Sequence, residues 1–137
     1  MRRTIGALAL VCSLLLPVCD LRADDIGNMT AATLWSRLAS AEAPLLLDVR
    51  TREEFAAGHL PGARNIPHTE LADALPALGA DPAREVVVYC VAGIRADKAL
   101  AVLQAHGFAH LWHLTGNYAA WLAEGRPIEG VDAPIAR

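Results

Sequence analysis

Val86, Val87, Val88 and Tyr89 form an unbroken run of β-branched and aromatic side chains. The run ends at Cys90, crosses a loop of small residues and continues into a helical pattern at Arg95. A strand that is apolar at successive positions is apolar on both faces, so both faces must be covered. Leu45 to Val49, following Pro44, has the same character, and Phe108 to Leu114 predicts another strand after Gly107. Helical patterns fill the intervals. Thr30 caps one that runs to about Ser40 through Leu34, Trp35 and Leu38. Thr51 and Glu54 have capping-box spacing and open a short helix through Phe55. Gly58 to Ala63 is turn chemistry, and Arg64-Asn65-Ile66 is a short strand closed by Pro67. Further helices are expected over Thr69–Leu78, Arg95–His106 and Asn117–Glu124, with Gly107 at a C-cap and Trp112 and Trp121 in the core. This alternation predicts an α/β fold, a small doubly wound parallel sheet flanked by helices. In such sheets ligands bind beyond the carboxyl ends of the strands, which is where Cys90 stands.

The start of the chain has a different character. Arg2 and Arg3 precede an apolar stretch from Ile5 to Val18, broken only by Gly6, Ser13 and Pro17, and Ala23 offers a small residue before Asp24. This is the layout of a secretory signal peptide over residues 1–23, too short for a membrane span of about 20 apolar residues. Residues 24–28 are then a short linker and 29–137 a single domain, in a periplasmic or secreted product with no membrane span. Leu16-Pro17-Val18-Cys19 fits a lipoprotein box poorly because of Val18, which keeps a lipid anchor at Cys19 as the lesser alternative. Cys12 and Cys19 leave with the signal, so Cys90 becomes a lone thiol in a compartment that permits disulfides. A thiol reductant or redox protein is an expected partner for it. Loss of Arg2, Arg3, Arg22 and Asp20 leaves nine basic against fourteen acidic residues, a net charge of −5. That balance argues against nucleic acid or an anionic membrane surface as partner.

The loop Cys90-Val91-Ala92-Gly93-Ile94-Arg95 carries the chemistry. A tight turn between strand and helix points successive backbone N–H groups inward as an anion nest, and the helix adds its free N-terminal amides and positive dipole end. A thiol in the floor of such a nest is favoured as the thiolate. Gly93 permits the backbone conformation a tight ring demands, and Arg95 brings a guanidinium suited to gripping an oxyanion through two parallel hydrogen bonds. The alternative is a free cysteine that packs as a small hydrophobe at a strand end. The arginine, the glycine and the strand–loop–helix setting favour function.

From residue 29 to about 128 the chain resembles the single-domain rhodanese-like sulfurtransferases, and with its export signal the periplasmic subgroup typified by phage shock protein E. The resemblance lies in Leu46-Leu47-Asp48-Val49-Arg50 with Glu54-Phe55, in Gly58-His59-Leu60-Pro61-Gly62-Ala63-Arg64-Asn65-Ile66-Pro67, and in Tyr89-Cys90 through Arg95. Leu114-Thr115-Gly116-Asn117 with Trp121 is similar to the family's closing glycine pair and tryptophan. It implies a persulfide mechanism: Cys90 takes sulfane sulfur from a small-molecule donor such as thiosulfate and passes it to an acceptor such as cyanide. The amides of Val91, Ala92, Gly93, Ile94 and Arg95 hold the anion, and no metal or organic cofactor is required. The chain departs from the family at Val91, Ala92 and Ile94, where polar or basic residues are common, so weak turnover of thiosulfate or a larger, less charged donor is expected. Asn117 replaces the second glycine and tolerates the same left-handed backbone.

Other readings stay open. A module that only binds or carries sulfur would share these residues without turnover. Phosphatases and arsenate reductases of the cysteine-dependent kind use a loop one residue longer. The four residues between Cys90 and Arg95 enclose a smaller ring and include no acid. Asp48 is expected either to orient Arg95 or to pair with Arg50, and His59 to be a supporting, structural residue of its turn. Arg50 and Arg52 have no assignable place near the pocket. His106, His110 and His113 have spacings that invite a metal, but they fall on a helix end, a loop and a strand.

Overall fold

The computed structural model describes residues 25–130. The signal segment over residues 1–23 lies outside the described residues. Five strands alternate with five helices among the described residues: β1 (Gly27–Met29), α1 (Ala31–Leu38), β2 (Leu45–Asp48), α2 (Arg52–Ala57), β3 (Arg64–Asn65), α3 (Leu71–Leu78), β4 (Val86–Tyr89), α4 (Ile94–Ala105), β5 (Leu111–Leu114) and α5 (Asn117–Ala123). The strands form one sheet in the order β1-β5-β4-β2-β3, with every pairing parallel.

The alternation of side chains along each strand divides the core in two. Leu45, Leu47, Val86 and Val88 point to one face, where Leu71 and Leu78 of α3 and Ala96, Ala99, Leu100 and Leu103 of α4 cover them. Leu46, Val87, Tyr89 and Leu114 point to the other, under Ala31 and Leu34 of α1 and Trp121 of α5. The sheet is therefore doubly covered, as the continuous apolar runs predict. β4 lies at its centre, and the chain leaves β2 for the β3 edge but leaves β4 for β5 on the opposite side. Connections that part in this way open a crevice beyond the carboxyl ends of the two neighbouring strands, and Cys90 lies in it.

Several expected strand and helix ends fall one residue short, and four starts differ from the sequence expectation. Residues 27 and 28 are not a linker: they belong to β1, which pairs Gly27, Asn28 and Met29 with Trp112, His113 and Leu114. Glycine and asparagine are poor strand formers, so no pattern marks this edge. Gly27 is instead fitted to the Trp112 indole, since a Cβ there would lie 2.4 Å from two ring carbons. β5 starts at Leu111 rather than Phe108, because the Phe108 amide donates to Leu103 O at the end of α4 and the Ala109 amide to Pro82 O. α3 starts at Leu71 rather than Thr69, after a turn in which Glu70 N donates to Pro67 O at 2.9 Å. α4 begins at Ile94, one residue earlier than its apolar pattern, with Gly93 at the cap.

Leu47 on β2 is completely buried against α3 and α4, whereas Leu122 on α5 is 46% exposed. Leu47→Ala is expected to lower the unfolding free energy by about 2–5 kcal/mol in urea titrations. Leu122→Ala is expected to stay within about 0.5 kcal/mol of the parent.

Candidate active site

The site starts from the last residue of the central strand. Cys90 is 2% exposed, and its Sγ accepts a hydrogen bond from the Gly93 amide at 3.0 Å. That bond requires the chain to fold back within three residues, and Gly93 allows it with a φ of +121°. On the outer side of the loop, α5 supplies donors: Tyr118 N donates to Cys90 O at 3.0 Å and Ala119 N to Val91 O at 3.3 Å. The C=O and N–H of a trans peptide point in opposite directions. Tying the two carbonyls to α5 therefore turns the amides of Val91 and Ala92 away from it. The Cys90 amide itself is held by Asn117 Oδ1 at 3.0 Å. Residues Cys90 to Arg95 line a depression of about 290 Å³, with Ile94 exposed and Val91 at the margin of exposure.

Two arginines flank this loop in different states. Arg95 makes a two-pronged ion pair with Glu54, at 2.7 and 3.0 Å. The hydrogen bond from Arg95 is the main reason the Glu54 carboxyl falls to about 2, assisted against burial by the Thr51 amide. Glu54 in turn favours the Arg95 cation, and the Cys90 sulfur adds a smaller contribution in the same direction. The capping-box glutamate of α2 thus doubles as the partner of the loop arginine. Of the two roles open to Asp48, the structure selects Arg50. The Arg50 Nη2 lies 2.6 Å from Asp48 Oδ2 and 2.7 Å from Gly58 O, and the guanidinium sits 4.0 Å from the Tyr118 ring centre. Burial opposes the charge on Arg50 more than any single contact favours it, but the hydrogen bonds and negative charge of Asp48, with Tyr89 and Tyr118, together outweigh it and keep the group above its ordinary value. Tyr89 completes this layer: its hydroxyl accepts from the Leu60 amide at 3.1 Å, and burial, then Asp48, hold its phenol above the usual range.

His59 fastens its turn. Its ring stacks on Phe55 with centroids 3.7 Å apart, Nδ1 lies 2.8 Å from Phe55 O, and its backbone pairs with Glu129. Arg52 pairs with Glu70 on the surface. The three histidines do not converge. His106 bonds Val102 O on its own helix, and no group of metal-ligating side chains occurs among the described residues. His113 has another setting, between Asp97 and Asn117. Glu54, Asn117 and His113 are the site residues that sequence reasoning left unassigned. Glu54 and Asn117 carried a signal, their places in the family's segments, and His113 carried none.

The fold and this cysteine loop define a class, an α/β domain with a buried thiol set in a tight strand-to-helix turn and met by a backbone amide. Residues 30–124 match the model of the Rhodanese-like domain. The chain is 34% identical over 103 residues to a sulfurtransferase of Allochromatium vinosum, covering 75% of this chain and 94% of that protein. It superposes on the human single-domain sulfurtransferase TSTD1 with a TM-score of 0.67 at 34% identity, covering 73% of this chain and 98% of that one. A 28% identical relative, the tRNA uridine(34) hydroxylase of Escherichia fergusonii, is longer, and the match spans 32% of it and 78% of this chain. The chain belongs to the rhodanese-like family, and its relatives make sulfur transfer its class of chemistry.

The Glu54–Arg95 pair sets a pH dependence with a definite sign. Folding lowers the Glu54 carboxyl from 4.5 to about 2, so its stabilising contribution is complete above about 4.5 and disappears as pH falls through about 2. Glu54→Gln lacks this contribution. In acid titrations followed by circular dichroism, the stability gap between parent and variant is expected to close over that window and to stay constant above it.

Proposed function

We propose that the protein is a sulfurtransferase of thiosulfate sulfurtransferase type that carries sulfane sulfur as a persulfide on Cys90. In the first half-reaction the Cys90 thiolate attacks the outer sulfur of a donor such as thiosulfate. A new S–S bond forms, the bond between the outer and central sulfur atoms breaks, and sulfite leaves with that bond's electron pair. In the second, cyanide or another thiophile attacks the terminal sulfur of the persulfide. The Cys90 thiolate is regenerated and thiocyanate leaves. Two half-reactions on one nucleophile give ping-pong kinetics.

The observation that carries this reading is the Gly93 amide directed at Cys90 Sγ at 3.0 Å within a loop whose outer carbonyls are tied to α5. Such a loop offers N–H groups to the persulfide's terminal sulfur as charge gathers there, which is stabilisation by fixed donors. Arg95 supplies positive charge at the rim, but its bidentate pair with Glu54 leaves it shared. This supports modest affinity for a dianionic donor and favours one of lower charge, in keeping with the apolar side chains of Val91 and Ile94. The same sharing weakens the hold on a phosphate dianion, which must compete with Glu54 for the Arg95 charge. Action outside the cytoplasm, with a thiol reductant or redox protein keeping Cys90 reduced, belongs to this proposal through the signal pattern of residues 1–23.

Intact-mass measurement of the purified protein after incubation with thiosulfate tests it. A gain of one sulfur atom is expected, reversed by cyanide with release of thiocyanate and absent in Cys90→Ser. Failure to gain sulfur from thiosulfate and from organic persulfides alike would sink the proposal. Loading without turnover would identify a carrier, and Cys90-dependent hydrolysis of para-nitrophenyl phosphate would identify a phosphatase.

A further inference from the structure

Asn117 is the one residue other than glycine with a positive φ among the described residues, at +53°. Were backbone conformation all that this position demands, glycine would serve better. The side chain is instead buried, 4% exposed, and is the middle of a chain of contacts. Asp97, in the first turn of α4, places Oδ1 3.1 Å from His113 Nδ1. On the far side of the imidazole, Nε2 lies 3.2 Å from Asn117 Nδ2 and 3.3 Å from Asn117 Oδ1. Asn117 Oδ1 then accepts from the Cys90 amide at 3.0 Å.

Donor and acceptor chemistry gives this chain a direction. An ionised carboxylate only accepts, so Asp97 selects the His113 tautomer that carries its proton on Nδ1. The bare Nε2 then accepts from the Asn117 amide nitrogen. That orientation leaves Oδ1 facing the Cys90 N–H, where the flipped amide would set two donors against each other. Each link fixes the next.

We propose that Asp97, His113 and Asn117 are positioning residues for the nucleophile, a directional hydrogen-bond chain that locks the Cys90 amide and with it the cradle around Sγ. The proposal rests on the sulfurtransferase reading of Cys90. Three elements meet here: α4 brings Asp97, β5 brings His113 and α5 brings Asn117. Gly93, the donor to Sγ, packs directly on them, since a Cβ on it would lie 3.4 Å from both Asn117 Nδ2 and His113 Cε1. The relay therefore supports the loop at the strand end and at the glycine that faces the sulfur. Asn117 acts on Cys90 directly, whereas His113 and Asp97 act only through Asn117.

That order makes a test by double-mutant cycle. The rate of sulfur loading from donor in a single turnover is followed by intact mass, the rate of Cys90 alkylation by iodoacetamide is measured in parallel, and thermal melting is recorded for each variant. Asn117→Gly keeps the left-handed backbone, so the variant is expected to fold, with a melting temperature lowered only modestly by the Cys90 amide left unpaired. Its loading rate is expected to fall about tenfold, as for one buried hydrogen-bonding group left without its partner. His113→Leu is expected to slow loading less, and Asp97→Asn least. The Asn117→Gly/His113→Leu double variant is expected to load no more slowly than Asn117→Gly alone. Wild-type loading by Asn117→Gly, or a double variant whose loss equals the product of the single losses, would overturn the relay. If no protein loads sulfur at all, the sulfurtransferase reading fails by itself. The alkylation rates still decide the positioning role, which is lost if Asn117→Gly and the parent react alike.

Discussion

The carbonyl groups of Cys90 and Val91 are held by amides from the first turn of α5, a contact that joins the last helix of the sheet domain to the loop after its central strand. Peptide planarity makes this contact decisive, because a carbonyl fixed outward commits the amide of the same unit to the opposite side. Without it, nothing in a stretch as bland as Val91-Ala92-Gly93 would choose between N–H groups gathered on one side and N–H groups scattered. α5 is firmly placed for this task. Trp121 is fully buried under the sheet, and its Nε1 donates to Pro127 O at 2.8 Å. The reactive loop thus inherits its shape from core packing on the α1/α5 face, while its cysteine side chain is buried with the α3/α4 cluster on the other.

The two arginines divide the electrostatic work by depth. Arg50 and Asp48 are 3% and 0% exposed, and isolating either charge there would carry a large desolvation cost. Their mutual hydrogen bonds, the Gly58 carbonyl and the faces of Tyr89 and Tyr118 together make the buried pair tolerable. What the pair achieves is alignment: β2, the turn at Gly58 and α5 are brought to one point beside the end of β4. Arg95 and Glu54 lie nearer solvent, at 27% and 33%, so their attraction is screened and contributes less to stability. Their position at the loop gives them a different use, a cation whose field reaches Cys90 while Glu54 holds one donor of each terminal nitrogen.

Much of this was legible in the residues, for identifiable reasons. Continuous apolar runs at Leu45–Leu47 and Val86–Tyr89 mark strands covered on both sides, and the Thr51–Glu54 spacing names a helix start without reference to the rest of the chain. These signals are local. β1 was missed because it is an edge element whose glycine answers to the Trp112 ring, a residue far along the chain. Asp48 stood between two candidate partners, and the choice is made by the turn after β2, which brings the Arg50 amide and guanidinium onto its carboxylate, while Arg95 is held by Glu54. His113 looked like one of three spaced histidines. Its meaning depends on α4 and α5 closing over β5, which no linear pattern reports. Asn117 was read for its backbone, and its side chain could be assigned only when Cys90 was seen beside it.

These features also separate two demands that a sulfur-transfer site must meet. Capturing a donor calls for charge or surface at the mouth, whereas holding a persulfide calls for donors around one sulfur atom deep in the loop. On the proposed function, the second demand falls to backbone donors, through the Gly93 amide and the orientation imposed on Val91 and Ala92. The first is left to Val91, Ile94 and an arginine already paired with Glu54. Backbone donors are neutral dipoles and accept a singly charged sulfur without needing a second charge on the ligand. A donor bearing two negative charges must instead compete with Glu54 for Arg95, and Glu54 holds the advantage of being tethered in place by the Thr51 cap. On the proposed function, selection among donors falls to the side chains at the rim, and the carriage of sulfur to the backbone beneath it.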